Sequence, residues 1–267
     1  MTASTAESPR RILSATLAGA AVGILGGLIG LGGAEFRLPI LISLFGFAAL
    51  HAVILNKAMS LVVVTSALFF RMGTVPAGEL LANWPSIVNL LAGSLVGAWL
   101  GAGWATRLSS RRLYQVISVM LVAIAVVLLS AHEVHSDGAL LHGPAQVVAG
   151  LVAGFVIGVV AAVMGVAGGE LLIPTLILLF GADIKLAGSL SVAISLPTMV
   201  VGFARYSRDS AFDVLRHNGR FVLAMAAGSI VGAAAGGQLL GIVPSQVLLP
   251  VLAAILLISA VKVWRHK

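Results

Sequence analysis

The chain is a succession of apolar runs about as long as a bilayer is thick. Runs near 20 residues fall at roughly 12–31, 52–71, 86–106, 113–131, 146–166, 186–204, 220–240 and 247–263. A helix needs about 20 apolar residues to cross the hydrocarbon core. Two shorter runs lie at 36–49 and 171–182. Only 9% of residues are charged, where a soluble domain carries about 25%. The runs are continuous rather than alternating, which argues against a β-barrel. The expected fold is all-α and polytopic, with about 8–10 membrane segments and no soluble domain.

The second constraint is a duplication. GLGGAEFRLPILISLFG (30–46) and GVAGGELLIPTLILLFG (165–181) lie 135 residues apart, and 9 of their 17 positions are identical without a gap. The same offset places Gly19 on Gly154, Gly23 on Gly158, Ser60 on Ser195, Asn83 on Asn218, and GSLVGA (93–98) on GSIVGA (228–233). One register kept over so long a stretch indicates an internal repeat. The expected units are a first repeat at 1–133 (with a tail at 1–9), an outer linker at 134–145, and a second repeat at 146–267.

Lys and Arg give the relative orientation. Twelve of the 16 fall in four places: Arg10 and Arg11; Arg107, Arg111 and Arg112; Arg205, Arg208, Arg216 and Arg220; Lys262, Arg265 and Lys267. The loops at 72–85, 132–145 and 241–246 have none. With the first set inside and the second outside, the chain alternates consistently, provided Arg71 snorkels to the outer edge. Both termini are then cytoplasmic. Each half makes an odd number of crossings, three or five, so the repeats are inverted. The SPRRIL start is read as part of the repeat and not as a cleaved signal, because 12–31 has a counterpart deep in the chain.

Inverted repeats with glycine-interrupted segments at matching positions are the arrangement of secondary transporters, whose substrate sites lie at the broken helices. GLGGAE and GVAGGE are the breaks. Glycine lets the backbone leave the helix, and Pro39 and Pro174 suit the first turn of a restarting helix. Full crossing and a hairpin both fit segments 36–49 and 171–182.

At these residues the chain resembles the sulfite exporter TauE/SafE family, the toluene-sulfonate uptake permease group. The likeness rests on a glycine-rich stretch that leads into E-xxx-P and occurs twice, in GLIGLGGAEFRLP (27–39) and AVMGVAGGELLIP (162–174), with FFR (69–71), ARY (204–206) and the GSxVGA helices in support. It covers nearly the whole chain. The copies depart from one another at Ala34 against Gly169, Arg37 against Leu172, and Ala167. The resemblance implies a bacterial cytoplasmic-membrane carrier for sulfite, sulfoacetate or other sulfur-containing anions.

The expected site follows from polar groups that are costly in a membrane. A carboxylate there costs about 2.5–3.5 kcal/mol on insertion scales. Glu35 and Glu170, related by the repeat, are candidates for a central substrate site and for proton coupling; the competing reading makes each a cap on its own helix start. Arg37 and Lys57 occur in the first half only, opposite Leu172 and Val192. One of them is expected to bind the anion and to pair with Glu35 when the site is empty, Arg being suited to two oxygens of a sulfonate. Asn56, Ser60, Ser191 and Ser195 are neutral candidates, since each i, i+4 pair faces one side of a helix. Thr65, Ser66, Ser189 and His51 are weaker. The Gly93/Gly97/Gly101 and Gly228/Gly232/Gly236 stripes, and Gly19/Gly23/Gly27, read as close helix packing.

The remaining features narrow the classes. There is no cysteine, so there are no disulfides and no thiolate chemistry. HEVHSDGALLH lacks the HExxH spacing, and no metal or cofactor is expected. No GxxxxGK[ST] motif is present, so energy would come from a gradient. The expected function is a secondary transporter for small anions by alternating access, with a passive anion channel as the alternative; it is not an enzyme. Its partners are the anion and the lipid bilayer, without nucleic acid, and a homodimer is compatible with the sequence.

Overall fold

The computed structural model describes residues 8–28, 32–71, 78, 82–130, 139–238 and 245–266. Among them the chain is helical and contains no strand. In order the helices are α1 (Pro9–Leu28), α2 (Ala34–Ser43), α3 (Ala49–Arg71), α4 (Trp84–Ala105), α5 (Ser110–Ser130), α6 (Pro144–Met164), α7 (Gly169–Phe180), α8 (Ile184–Tyr206), a one-turn α9 (Val214–His217) after a 3-10 turn (Ser210–Asp213), α10 (Gly219–Gln238) and α11 (Ser245–Trp264). Seven of them, α1, α3, α4, α5, α6, α8 and α10, are long and apolar enough to cross a membrane, and α11 adds the apolar stretch Leu248–Trp264.

The two short helices fold back along the long helices before them. α2 has 10 residues and α7 has 12, about 15 and 18 Å, half a hydrocarbon core. Gly33 lies against Val22 of α1, and Gly168 against Ile157 of α6. Each contact falls at the fourteenth residue of the long helix, about 20 Å from its start. The far ends return to where those helices began. The Arg11 guanidinium donates to the Phe45 carbonyl (3.3 Å), and the Gln146 amide donates to the Leu179 carbonyl (2.7 Å). Arg11 and Gln146 are themselves 135 apart. The run 36–49 is therefore not one segment. α2 stops at Ser43, Gly46 takes φ 69°, and the Phe47 N–H bonds the Leu41 carbonyl (3.1 Å). The second copy keeps the same closing bond, Ala182 N–H on Leu176 (3.2 Å), but its helix runs to Phe180, directly against the left-handed Gly181 (φ 67°).

Pro39 and Pro174 lie in the second turn of their helices, not the first. A proline has no N–H for the carbonyl four residues earlier. In both copies that carbonyl belongs to the glutamate, Glu35 or Glu170. The E-xxx-P spacing thus leaves each glutamate's own carbonyl without its helical partner.

The long helices pair between the halves. α1 packs on α10, and α4 packs on α6. Glycine stripes bring the backbones together: a Cβ at Gly23 would overlap Ser229, and one at Gly158 would overlap Ser94. These two contacts map onto each other by the 135-residue offset with the halves exchanged, as do Gly97 on Phe155 and Gly232 on Ala20. α3 packs on α8, and α5 on α11, each pairing a segment with its own counterpart.

The ends of the helices fall into two sets. At one end of the bundle Phe45, Phe47 and Phe221 form edge-to-face contacts beneath the Arg11 guanidinium, and Tyr114 meets His266. Here lie the starts of α1, α5 and α10 and the end of α11. At the other end Asn89, near the start of α4, donates to Val147 near the start of α6 (3.1 Å), beside Phe180 at the end of α7.

Candidate functional site

The two breaks meet in the interior, and Asn56 of α3 holds them together. Its side-chain amide donates to Ala34 at the start of α2 (3.0 Å) and to Met164 at the end of α6 (3.0 Å). The start of α2, the end of α6 and the middle of α3 are thereby fixed at one point. Glu35 lies in the first turn of α2 and Glu170 in the first turn of α7. Both are buried, with 1% and 7% of their surface exposed. Each of these helices starts from a left-handed glycine, Gly33 (φ 70°) and Gly168 (φ 83°), a turn that side chains with a Cβ rarely adopt.

The structure brings the two carboxyl groups within electrostatic reach of each other, and Arg37 within reach of Glu35. The two carboxyls face each other and the backbone of their own helix starts, without reaching regular hydrogen-bond geometry with either. Arg37 is fully buried, and none of its three guanidinium nitrogens has a hydrogen-bond partner. Nearby on α3, the Ser60 hydroxyl and the Asn56 carbonyl oxygen are buried and unpartnered. Buried polar groups are nearly always hydrogen-bonded, so a group of them left open marks a place for a polar ligand or water.

Lys57, the residue after Asn56 on α3, is engaged at the second break itself. Its ammonium donates to the carbonyls of Ala161 (2.9 Å) and Val166 (3.3 Å), with its stem against Gly202. Among the described residues no carboxylate pairs with it. Of the two cations it is Arg37 that stands within electrostatic reach of Glu35, whereas the Lys57 ammonium turns to carbonyls at and just beyond the end of α6. Tyr206, not singled out by sequence, completes that cap: its hydroxyl donates to Ala162 (3.0 Å). The sequence signal that contained it was the ARY motif (204–206), which says nothing of its partner.

The serines divide. Ser191 is buried but bonds its own helix at Gly188 (2.8 Å), and Ser189 bonds Lys185 (3.3 Å). Ser195 is buried on α8. Ser66 bonds Val63 (2.7 Å), Thr65 is exposed, and His51 is half-buried. One bond the sequence did not signal joins Ser94 of α4 to Thr198 of α8 (2.7 Å). Of the histidine loop, residues 132–138 lie outside the described residues, as does Gly30 of the first break, and His142 is exposed.

Such an arrangement suits an oxyanion. A planar guanidinium bonds two oxygens of one anion, and a protonated carboxyl donates a third bond. No curated protein and no solved structure matches the chain. A family model described as sulfite exporter TauE/SafE matches residues 2–128 and 150–267. This is a family of membrane transporters of the sulfite and sulfonate type, for which a small anion and the bilayer are the implied partners. With its bundle of long apolar helices and a match over nearly its whole length, the chain is a multi-pass membrane protein that belongs to the sulfite exporter TauE/SafE family.

Proposed function

We propose that the chain is a secondary carrier for sulfite or an organosulfonate, working by alternating access between two inverted halves, 1–133 and 146–267, with protons carried by Glu35 and Glu170. The observation that carries this reading is the meeting of both carboxyls beside one unpartnered guanidinium, where the two breaks join. With both carboxyls ionised, their charge outweighs that of Arg37 and repels an anion. With both protonated, Arg37 and a monovalent anion balance. Anion entry is thus favoured together with proton uptake. Ser60 supplies a neutral donor, while Asn56 positions the breaks.

The inverted orientation is supported by the opposite placement of equivalent helix starts, that of α1 beside Phe45 and Phe221 and that of α6 beside Asn89 and Leu179. Arg10, Arg11, Arg111 and Arg265 cluster at the first of these ends, which the positive-inside rule makes cytoplasmic in a bacterial inner membrane.

The test is anion accumulation in proteoliposomes under an imposed pH gradient, with sulfite, sulfate and a short sulfonate. Uphill accumulation of sulfite or the sulfonate, reversed when the gradient is reversed, is the expected result. Equilibration without accumulation would make the protein a passive channel, and absence of flux for all three would overturn the anion assignment.

A further inference from the structure

In secondary transporters the carbonyls freed at the C-terminal end of a broken helix are where a coupling sodium ion is held. Here that place is taken by a side chain. The end of α6 and the turn after it present the carbonyls of Ala161, Ala162, Met164 and Val166 inside the protein; Ala161 and Ala162 also accept the N–H groups of Val166 (3.1 Å) and Gly165 (3.2 Å). Lys57 Nζ bonds the first and last of these, Tyr206 the second and Asn56 the third. Lys57 is fully buried, its stem lies against Gly202, and a Cβ there would stand 3.2 Å from its Cε. A buried ammonium without a carboxylate partner is costly unless oxygen dipoles surround it.

We infer that Lys57 is a built-in cation that occupies the carbonyl cage at the α6 break, so that this site is closed to an external coupling cation and the protein runs without sodium. The ammonium supplies the positive charge that holds the break shut, and it does not touch the anion.

The decisive variant is Lys57→Met, which keeps an apolar stem beside Gly202 and removes the charge. Thermal unfolding of purified wild type should be indifferent to sodium and to methylammonium. The variant should unfold at a lower temperature and be restored by methylammonium or sodium in a saturable manner, since a ligand that binds only the folded state stabilises it. This arm uses no transport substrate, so it fails or succeeds independently of the carrier reading on which the transport arm rests. In that arm, sulfite flux of the variant should become dependent on the added cation. Should the variant not be recovered from membranes, recovery with methylammonium present supports the proposal. A folded variant that no small cation stabilises overturns it, as does one whose stability equals wild type without any cation.

Discussion

The two helix breaks share one sequence pattern and differ in how they are held. At the second, four carbonyls at the end of α6 are bonded by Asn56, Lys57 and Tyr206, two of which come from the first half. At the first, the counterparts of those three donors are Ser191, Val192 and Arg71. Ser191 bonds its own helix at Gly188, and valine has no donor. In exchange, the first break carries Arg37 where the second has Leu172. Duplication supplied the geometry twice. Divergence then put the brace on one copy and an unbonded buried cation on the other, the charge we propose binds the anion. A site at the junction needs both: fixed backbone on one side, and an unbonded guanidinium on the other.

The largest expected effect comes from erasing the charge difference. Arg37→Leu gives the first break the residue of the second. Sulfite flux in proteoliposomes should fall by roughly 100-fold or more, the scale for losing one member of a buried charge set. Arg37→Lys should recover only part of it, because an ammonium cannot bond two oxygens in one plane. Flux within about threefold of wild type for Arg37→Leu would place the anion elsewhere.

The brace predicts a smaller difference between equivalent positions. Asn56→Ala loses two bonds that cross between the breaks, and should lower unfolding stability by about 2 kcal/mol at roughly 1 kcal/mol per bond. Ser191→Ala loses one bond within its own helix and should change stability by less than about 0.5 kcal/mol. Denaturation in detergent would compare the two, and equal losses would show that Asn56 does not brace the breaks.

The smallest effect concerns the glycine-stripe helices. Ser94 and Ser229 are repeat counterparts, but Ser94 bonds Thr198 whereas Ser229 is buried and unpartnered, since the counterpart of Thr198 is Val63. Ser94→Ala should cost about 1 kcal/mol, and Ser229→Ala nothing or a slight gain. Comparable losses at both would mean that Ser229 has a partner of its own.

Much of the architecture was legible in the chain. The apolar runs located every long helix to within a few residues, because a membrane requires both length and continuity. The 135-residue register located the breaks, and the small-residue spacing located the close contacts. The end of α2 at Ser43 is hidden inside the run 36–49, since Leu44, Phe45 and Phe47 are as apolar as a helix interior, and the one local turn signal is the left-handed Gly46 three residues on. The polar residues of the site were readable as buried, but not their partners. Lys57 and Arg37 look alike in sequence, both being lone cations of the first half. Their separation depends on which carbonyls the fold turns toward each of them, and those that Lys57 bonds belong to residues over 100 positions away. The role of Tyr206, visible in sequence only as part of the ARY motif, is hidden for the same reason, as its partner lies on another helix.

The central idea is that Glu35 and Glu170, one from each half, work as a single proton-carrying unit. Sulfite accumulation driven by a pH gradient, measured for Glu35→Gln, Glu170→Gln and the double variant, tests it most directly. Residues that act together give strongly non-additive losses. Either single substitution should abolish gradient-driven accumulation, and the double variant should be no worse than the weaker single. Accumulation that survives in either single variant, or losses that multiply in the double, would contradict a shared site.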